Sequence, residues 1–551
     1  MAITEMRNFF ATPLSSRTST QLAGLAIALL VIGLYGPFIN SPPIFDDLYF
    51  FVDPLAYAGH LTWSDLLSSR WIWLGSLELS YWLWGVNPRA YHGGNLLLHA
   101  LTAFSLFLFI RGLLKFERGA NANLPAFVAA ALFAMHPVSA FAVGYITQRS
   151  IVLASLFSVW MWIAVHHGVA QKSKLWLLGS VVFYFLAVFS KEHAVTALPV
   201  AVLIAWNASG GSIRKTLSAL ALPLPFWVMT AFAIAISKKD LIGKAYEPLL
   251  NATGAILLNK DDLILRSYLN QCWMFFKYVA YWLFPNGSWM AIDMREPFPT
   301  TWYAWPWILG LLAFLAYPLL VLIGLWRGFL TRIAAIALIS PWLLFLTMFG
   351  AAMYQESFVL YRSYLWALPA TLLVAVLLSK TTTKGQVVAF TVAGALLFAL
   401  TWKRLQILSE PLVVWNEAVE RLKGNDGLPF VYRIYHNRGI AYASRRDRVN
   451  LELAIADYSK ALALDPVNFE VRSDRGVAYF HLHDYAKARL DFEFALDLKP
   501  RYRMALRGRG LSLINLGERE RGLADLAIAC HELQFGCDLY QYELYRPTPS
   551  K

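Results

Sequence analysis

Membrane-length apolar runs separated by short polar loops fill most of the chain and predict its architecture. They cover 21–39, 93–110, 126–135, 151–165, 175–189, 195–206, 217–236, 303–326, 333–350, 362–379 and 387–402. The first, 21–39, is long enough to cross a bilayer, and the others are read as successive crossings from the polar loops between them. Arg7 and Arg17 precede the first run, which keeps the N-terminus in the cytoplasm. No small-x-small cleavage site follows, so that run reads as a retained anchor. The third run breaks at His136-Pro137, because proline removes a backbone donor. Stretch 268–284 is apolar but flanked by Arg266 and Pro285-Asn286-Gly287. It reads as a re-entrant or partial segment, since a full span there would invert every later loop. The expectation is an all-α polytopic membrane helical bundle of about eleven spans.

After about residue 405 the pattern changes. Asp457, Asp491 and Asp525 recur at 34-residue steps, as do Pro466 and Pro500. Arg-Gly pairs at 438–439, 475–476 and 509–510 begin the units. A helix-turn-helix period of this length, with this placement of Gly, Ala and Pro, predicts a C-terminal tetratricopeptide-repeat α-solenoid. The domain expectation is a transmembrane catalytic domain over 1–405, a linker over 406–430 and a repeat domain over 431–551. Within the first, loop 41–90 carries Trp63, Trp71, Trp73, Trp82 and Trp84, which suit helices lying in the membrane interface.

Composition sharpens this picture. Of 551 residues, 58% are hydrophobic and only 15% charged, which excludes an ordinary soluble protein. The net charge of +13 would suggest nucleic acid in a soluble chain. Here many Lys and Arg sit in short loops between spans, so topology and anionic membrane lipid account for them, and no nucleic-acid partner is expected. Three cysteines give no metal pattern. Cys530 and Cys537 would pair in an oxidising compartment, or remain as two core thiols.

The predicted topology brings five polar clusters to one membrane face. They are Asp46/Asp47, the stretch from His136 through Gln148 and Arg149, Lys191/Glu192/His193, Asp293 with Glu296, and Glu356/Tyr361/Arg362. Singly, each reads as a surface turn, a snorkelling lysine or a helix anchor. Together, charges at span ends on one face mark a functional site. A carboxylate of the Asp46/Asp47 pair can take a proton from a hydroxyl.

The order of these motifs resembles a known family. Phe45-Asp46-Asp47 is followed by Tyr91-His92-Gly-Gly-Asn95-Leu-Leu-Leu-His99, His136-Pro137-Val138, Gln148-Arg149-Ser150 and Ser190-Lys191-Glu192, with repeats behind them. This resembles the transmembrane, tetratricopeptide-containing O-mannosyltransferases and their bacterial relatives, membrane glycosyltransferases of the GT-C class. Eukaryotic members usually carry a Glu near Phe141 and longer repeat arrays. The resemblance implies inverting transfer of a sugar from a polyprenyl-phosphate donor to a hydroxyl of an exported protein. Asp46 or Asp47 would be the base, with Asp46 favoured. Arg149, Lys191, Arg266 and Arg362 would bind the donor phosphate. His136, Gln148, Glu192, His193, Asp293, Glu356 and Tyr361 would hold sugar or acceptor, or support these groups. A divalent cation (Mg or Mn) bridged by the Asp pair is left open. The repeats would hold the acceptor, for instance a pilin-like protein, and the enzyme would sit in a bacterial inner membrane with its site and tail facing the periplasm. The alternatives are a lipid-linked oligosaccharide ligase or polymerase and a non-catalytic assembly factor.

Overall fold

The computed structural model describes residues 16–47, 69–118, 122–242, 244 and 262–546. Trp63 and the residues directly after Asp47 therefore lie outside the described residues. Every element in the described residues is helical. The chain divides into two units, one of residues 1–290 with 298–410 and one of residues 291–297 with 411–551.

The first unit holds α1 (Ser16–Tyr35), α2 (Trp71–Trp84), α3 (Pro88–Arg118), α4 (Asn123–Ala134), α5 (Pro137–Val143), α6 (Arg149–Ala170), α7 (Lys174–Ser190) and α8 (Ala197–Ala208). It continues with α9 (Ile213–Leu220), α10 (Leu224–Ser237), α11 (Leu263–Leu283), α12 (Trp307–Trp326), α13 (Arg332–Phe345), α14 (Ser363–Leu378) and α15 (Thr383–Leu408). Among the described residues seven helices are long and apolar enough to cross a membrane, or up to nine if each bent pair counts once. The bent pairs are α4–α5, turned by 63° at His136-Pro137, and α9–α10, turned by 71°. Ser173, Ser212, Thr331 and Thr382 cap α7, α9, α13 and α15 by accepting a backbone N–H. These caps stabilise helix starts that carry Lys or Arg in the first turn, against the helix dipole.

Helix α6 forms the centre, buried along most of its length against α3, α7, α8 and α14. Helices α12 and α15 lie outside and expose Leu312, Leu315, Leu319, Leu320, Val392 and Leu396. So much exposed aliphatic surface suits lipid and would be a liability in water.

Helix α11 covers the stretch expected to be re-entrant. It is continuous over 21 residues, so the chain does not turn back within it. Both its ends nevertheless meet one face. Ser267 accepts from Met353 N–H at 2.7 Å, Gln271 donates to Ser357 C=O, Tyr278 bonds Val359, and Trp282 donates to Ser363 at 2.9 Å. All four partners lie between the end of α13 and the start of α14, so α11 runs along that face. The last turns of α15 reach the loop that follows α11, where Arg404 donates to Gly287 C=O at 2.8 Å. Trp402 packs there on Phe38, just beyond the first helix.

The second unit stacks short helices. The stretch expected to be a linker carries α16 (Pro411–Leu422). Then come α17 (Tyr432–Ala443), α18 (Arg448–Leu464), α19 (Phe469–His481), α20 (Tyr485–Leu498), α21 (Arg503–Asn515), α22 (Arg519–His531) and α23 (Cys537–Tyr545). The 34-residue period has a physical cause. Arg438, Arg475 and Arg509 each grip Asp457, Asp491 and Asp525 respectively with two parallel hydrogen bonds of 2.7–2.8 Å. The glycine after each arginine lets the partner helix approach: a Cβ at Gly439 would meet Tyr458 at 2.5 Å. Cys530 and Cys537 form a disulfide that ties α23 to α22.

The buried pairs predict a local stability effect. Arg475→Ala leaves Asp491 buried without its fork, which costs on the order of 3 kcal/mol. Hydrogen exchange of α19 and α20 in the full chain should quicken by about two orders of magnitude, since each 1.4 kcal/mol is tenfold. The double change Arg475→Met with Asp491→Leu should recover most of the protection.

Candidate active site

The Asp-Asp pair sits in a tight turn closed by Asp47 N–H donating to Ile44 C=O at 3.0 Å. Phe45 adopts a left-handed backbone (φ 54°), strained for so bulky a residue. The turn separates the two carboxylates. Asp47 is fully buried and accepts from Ile146 N–H at 3.1 Å and Thr147 N–H at 2.8 Å. Asp46 stays half-buried, its own N–H donating to the Tyr145 hydroxyl at 2.9 Å. Burial pushes the Asp47 carboxyl up to about 7, although the Thr147 and Ile146 amides oppose it. The Tyr145 phenol is raised well above its usual value by burial and then by Asp46 and Asp47, so it stays protonated.

A cationic cluster lies beside this pair. Tyr361 packs edge-on against Tyr145, with ring centres 6.1 Å apart, and carries the Lys191 ammonium 4.9 Å above its face. Lys191 donates to Gln148 at 3.1 Å and Ser150 at 3.3 Å. Arg70 pairs with Glu192 through both guanidinium arms, one at 2.8 Å. Arg362 holds Glu356 through its carbonyl and its carboxylate, both at 2.7 Å. Burial holds the Lys191 ammonium well below its ordinary value, and Arg70 lowers it further while Glu192 opposes. Burial would raise the Glu192 carboxyl, but Arg70 outweighs it and holds the group well below the usual range. The two arginines thus pair with the two carboxylates, and Lys191, bonded only to the neutral Gln148 and Ser150, leaves the cluster one basic group in excess, which favours an arriving anion.

Next to Glu192 and His193 opens a cavity of about 300 Å³ with apolar walls from Ile234, Ala235, Leu346 and Met353. His193 is buried, and neither of its ring nitrogens has a hydrogen-bond partner among the described residues. Burial pushes its imidazole down to about 3, so it is neutral and able to donate and accept.

The other expected site residues are placed elsewhere. Arg149 is committed to the scaffold: it donates to Asn95 and Ser80 side chains and to the Ser76 and Tyr91 carbonyls, all within 2.9 Å. Gly94 makes room for it, since a Cβ there would meet the guanidinium at 2.8 Å. His136 caps α5 by accepting from Val138 N–H, stacks on Trp282 and bonds its carbonyl. Arg266 pairs with Asp262 at 2.8 Å at the start of α11. Asp293 belongs to the second unit, where Arg295 pairs with it. His92, Asn95 and His99 form one stripe of α3 that bonds the Ser41, Val143, Tyr145, Ile146 and Ala134 carbonyls.

The Asp47 oxygens accept backbone N–H groups in a fully buried site, Oδ1 from Thr147 and Oδ2 from Ile146. No group of three or more His, Cys, Asp or Glu able to hold a metal occurs among the described residues. Two site residues were not anticipated. Tyr145 lacked any signal beyond lying between two expected clusters. Arg70 is a basic residue in the Trp-rich stretch between the first two membrane-length runs, where no spacing or motif marks it.

Fold and site together define an all-helical protein of membrane type, with one buried and one half-buried carboxylate beside a cluster of basic side chains. Over 150 residues the chain is 28% identical to the Protein O-mannosyl-transferase Tmtc1 of Drosophila melanogaster. That stretch is 27% of this chain and 16% of the fly protein, so only a small part of that relative is matched. No family model matches the chain.

The Asp47 environment predicts a titration with a defined sign. Its folded value of about 7 lies above the ordinary carboxylate value of 3.8. The folded state therefore binds the proton more tightly, and this contribution to stability is full below about pH 4 and lost as pH rises towards 7. Infrared spectroscopy of the detergent-solubilised protein should show a buried protonated carboxyl band that disappears near pH 7. Asp47→Asn should abolish the band and Asp46→Asn should keep it.

Proposed function

We propose that this protein is a membrane glycosyltransferase of the GT-C type that moves a sugar from a polyprenyl-phosphate donor to a hydroxyl of an exported protein. The observation that carries the reading is one basic group in excess, Lys191, beside the Arg70–Glu192 and Arg362–Glu356 pairs and near a half-buried Asp46. The similarity to an O-mannosyltransferase supports it. The lipid phosphate would rest at Lys191 and Arg362, where its negative charge would favour the ammonium form of Lys191. Its apolar chain would enter the cavity walled by Ile234 and Leu346. Gln148 and Tyr361 orient Lys191, and His193 offers a neutral hydrogen-bonding edge to sugar or lipid phosphate.

In the reaction Asp46 takes the proton of an acceptor Ser, Thr or Tyr hydroxyl. The freed oxygen attacks the anomeric carbon from the side opposite the phosphate. The carbon–oxygen bond to phosphate breaks, and its electron pair leaves with the lipid phosphate under the cationic cluster. The configuration inverts. Asp47 does not take this proton: it holds the Asp46 turn against residues 146–147 as a positioning group.

The C-terminal unit is proposed to be a tetratricopeptide array that presents acceptor protein. In the first unit α15 ends at the face where Phe38 and Gly287 lie, which supports a tail leaving on the side of Asp46. The Cys530–Cys537 disulfide supports an oxidising compartment, the periplasm of a bacterial inner membrane protein.

In cells lacking the gene, complementation with wild type should add a sugar-sized mass to Ser, Thr or Tyr of exported proteins, read by peptide mass spectrometry. Asp46→Asn should reduce that occupancy by a factor of about 100 or more, the usual reach of a lost general base. Equal masses with both forms, when the variant is inserted and folded, would refute the reading.

A further inference from the structure

In the second unit, the turn between α17 and α18 and the turn between α19 and α20 flank a cavity of about 580 Å³. The residue just before the N-cap of the second helix is left-handed in each repeat. It is Arg446 (φ 57°) before Asp447, His483 (φ 63°) before Asp484 and Gly517 (φ 90°) before Glu518. Glycine adopts this backbone readily, whereas other residues are held there at a cost of roughly 1 kcal/mol. The third repeat uses glycine, and the first two do not. Both non-glycine side chains line the same cavity.

The charges of that cavity identify its ligand. Arg448 is paired with Glu452 at 3.0 Å and Lys487 with Asp484 at 2.7 Å. Arg446 has no carboxylate partner among the described residues, and His481 and His483 stand beside it. His483 uses Nδ1 on the Tyr485 hydroxyl at 2.8 Å, which leaves Nε2 for a ligand. One unpaired cation with two imidazoles suits a single carboxylate, while Glu452 and Asp484 would repel a dianionic phosphate. Leu451, Ile455 and Tyr479 add an apolar side to the cavity.

We propose that this cavity binds a protein segment that sets a single carboxylate among apolar side chains, with the carboxylate on Arg446 and His483 and the apolar side chains against Leu451, Ile455 and Tyr479. The inference goes beyond the transferase reading, because binding here is measured without any sugar transfer.

The test uses the full chain in detergent micelles and a fluorescein-labelled decapeptide with one Asp between Leu residues and Ser elsewhere, followed by anisotropy. The control peptide carries Asn in place of Asp. Wild type should bind the acidic peptide about tenfold more tightly than the control, as one charge-assisted contact provides. Arg446→Gly with His483→Gly should erase that preference while unfolding at the same temperature or higher, since glycine relieves the strained turns. A double variant that keeps the preference overturns the proposal. So does wild-type protein that ignores both peptides yet binds phosphatidylglycerol vesicles through Arg446 and His483, which would make the cavity a lipid contact.

Discussion

Everything at the candidate site depends on one buried carboxylate finding its hydrogen bonds. Asp47 is withdrawn from water and set on the amides of Ile146 and Thr147, at the point where the bent α4–α5 pair passes into the central helix α6. A charge so buried is tolerated only with such donors, and even then it ionises reluctantly. The same contact pins the turn that carries Asp46 against Tyr145. Asn95 and Arg149 secure the other side, joining α2, α3 and the start of α6. Asp46 can remain half-exposed because its neighbour does the anchoring.

Much of this order was legible in the chain. Hydropathy gave the helical membrane class and the break at His136-Pro137, because proline leaves a physical mark at its own position. The 34-residue steps of Asp457, Asp491 and Asp525 were visible before their cause. The cause, a fork from the Arg of each Arg-Gly pair, needed coordinates because the partners lie on different helices. Site residues were harder. A basic residue beside a span reads the same whether it binds substrate or braces the fold. Lys191 and Arg362 fell into the cationic cluster, while Arg149 and Arg266 proved to be committed to neighbours. Nothing in sequence spacing separates these outcomes, since they turn on which acceptors happen to face the guanidinium. Tyr145 was missed for the same reason: a tyrosine at a helix junction is commonplace until a carboxylate turn packs on it.

Left-handed backbone at a non-glycine residue occurs at eight positions among the described residues, and four of them, Phe45, Arg70, Arg446 and His483, lie at the two sites described. Phe45 takes this conformation in the turn that carries Asp46 and Asp47. Arg446 and His483 take the same conformation beside one cavity, where Gly517 shows the relaxed alternative. Both fit the view that unfavourable local geometry persists where surrounding structure enforces it and function benefits.

The most direct test of the central claim is transfer by purified protein in liposomes containing polyprenyl-phosphate mannose, with a Ser/Thr peptide added on the Asp46 side. Mass spectrometry would read the peptide. The account predicts a single hexose increment with wild type, and its loss with Asp46→Asn in protein that keeps the buried Asp47 carboxyl band. An increment that survives Asp46→Asn unchanged would contradict the assignment of Asp46 as the base and with it the mechanism built around the pair.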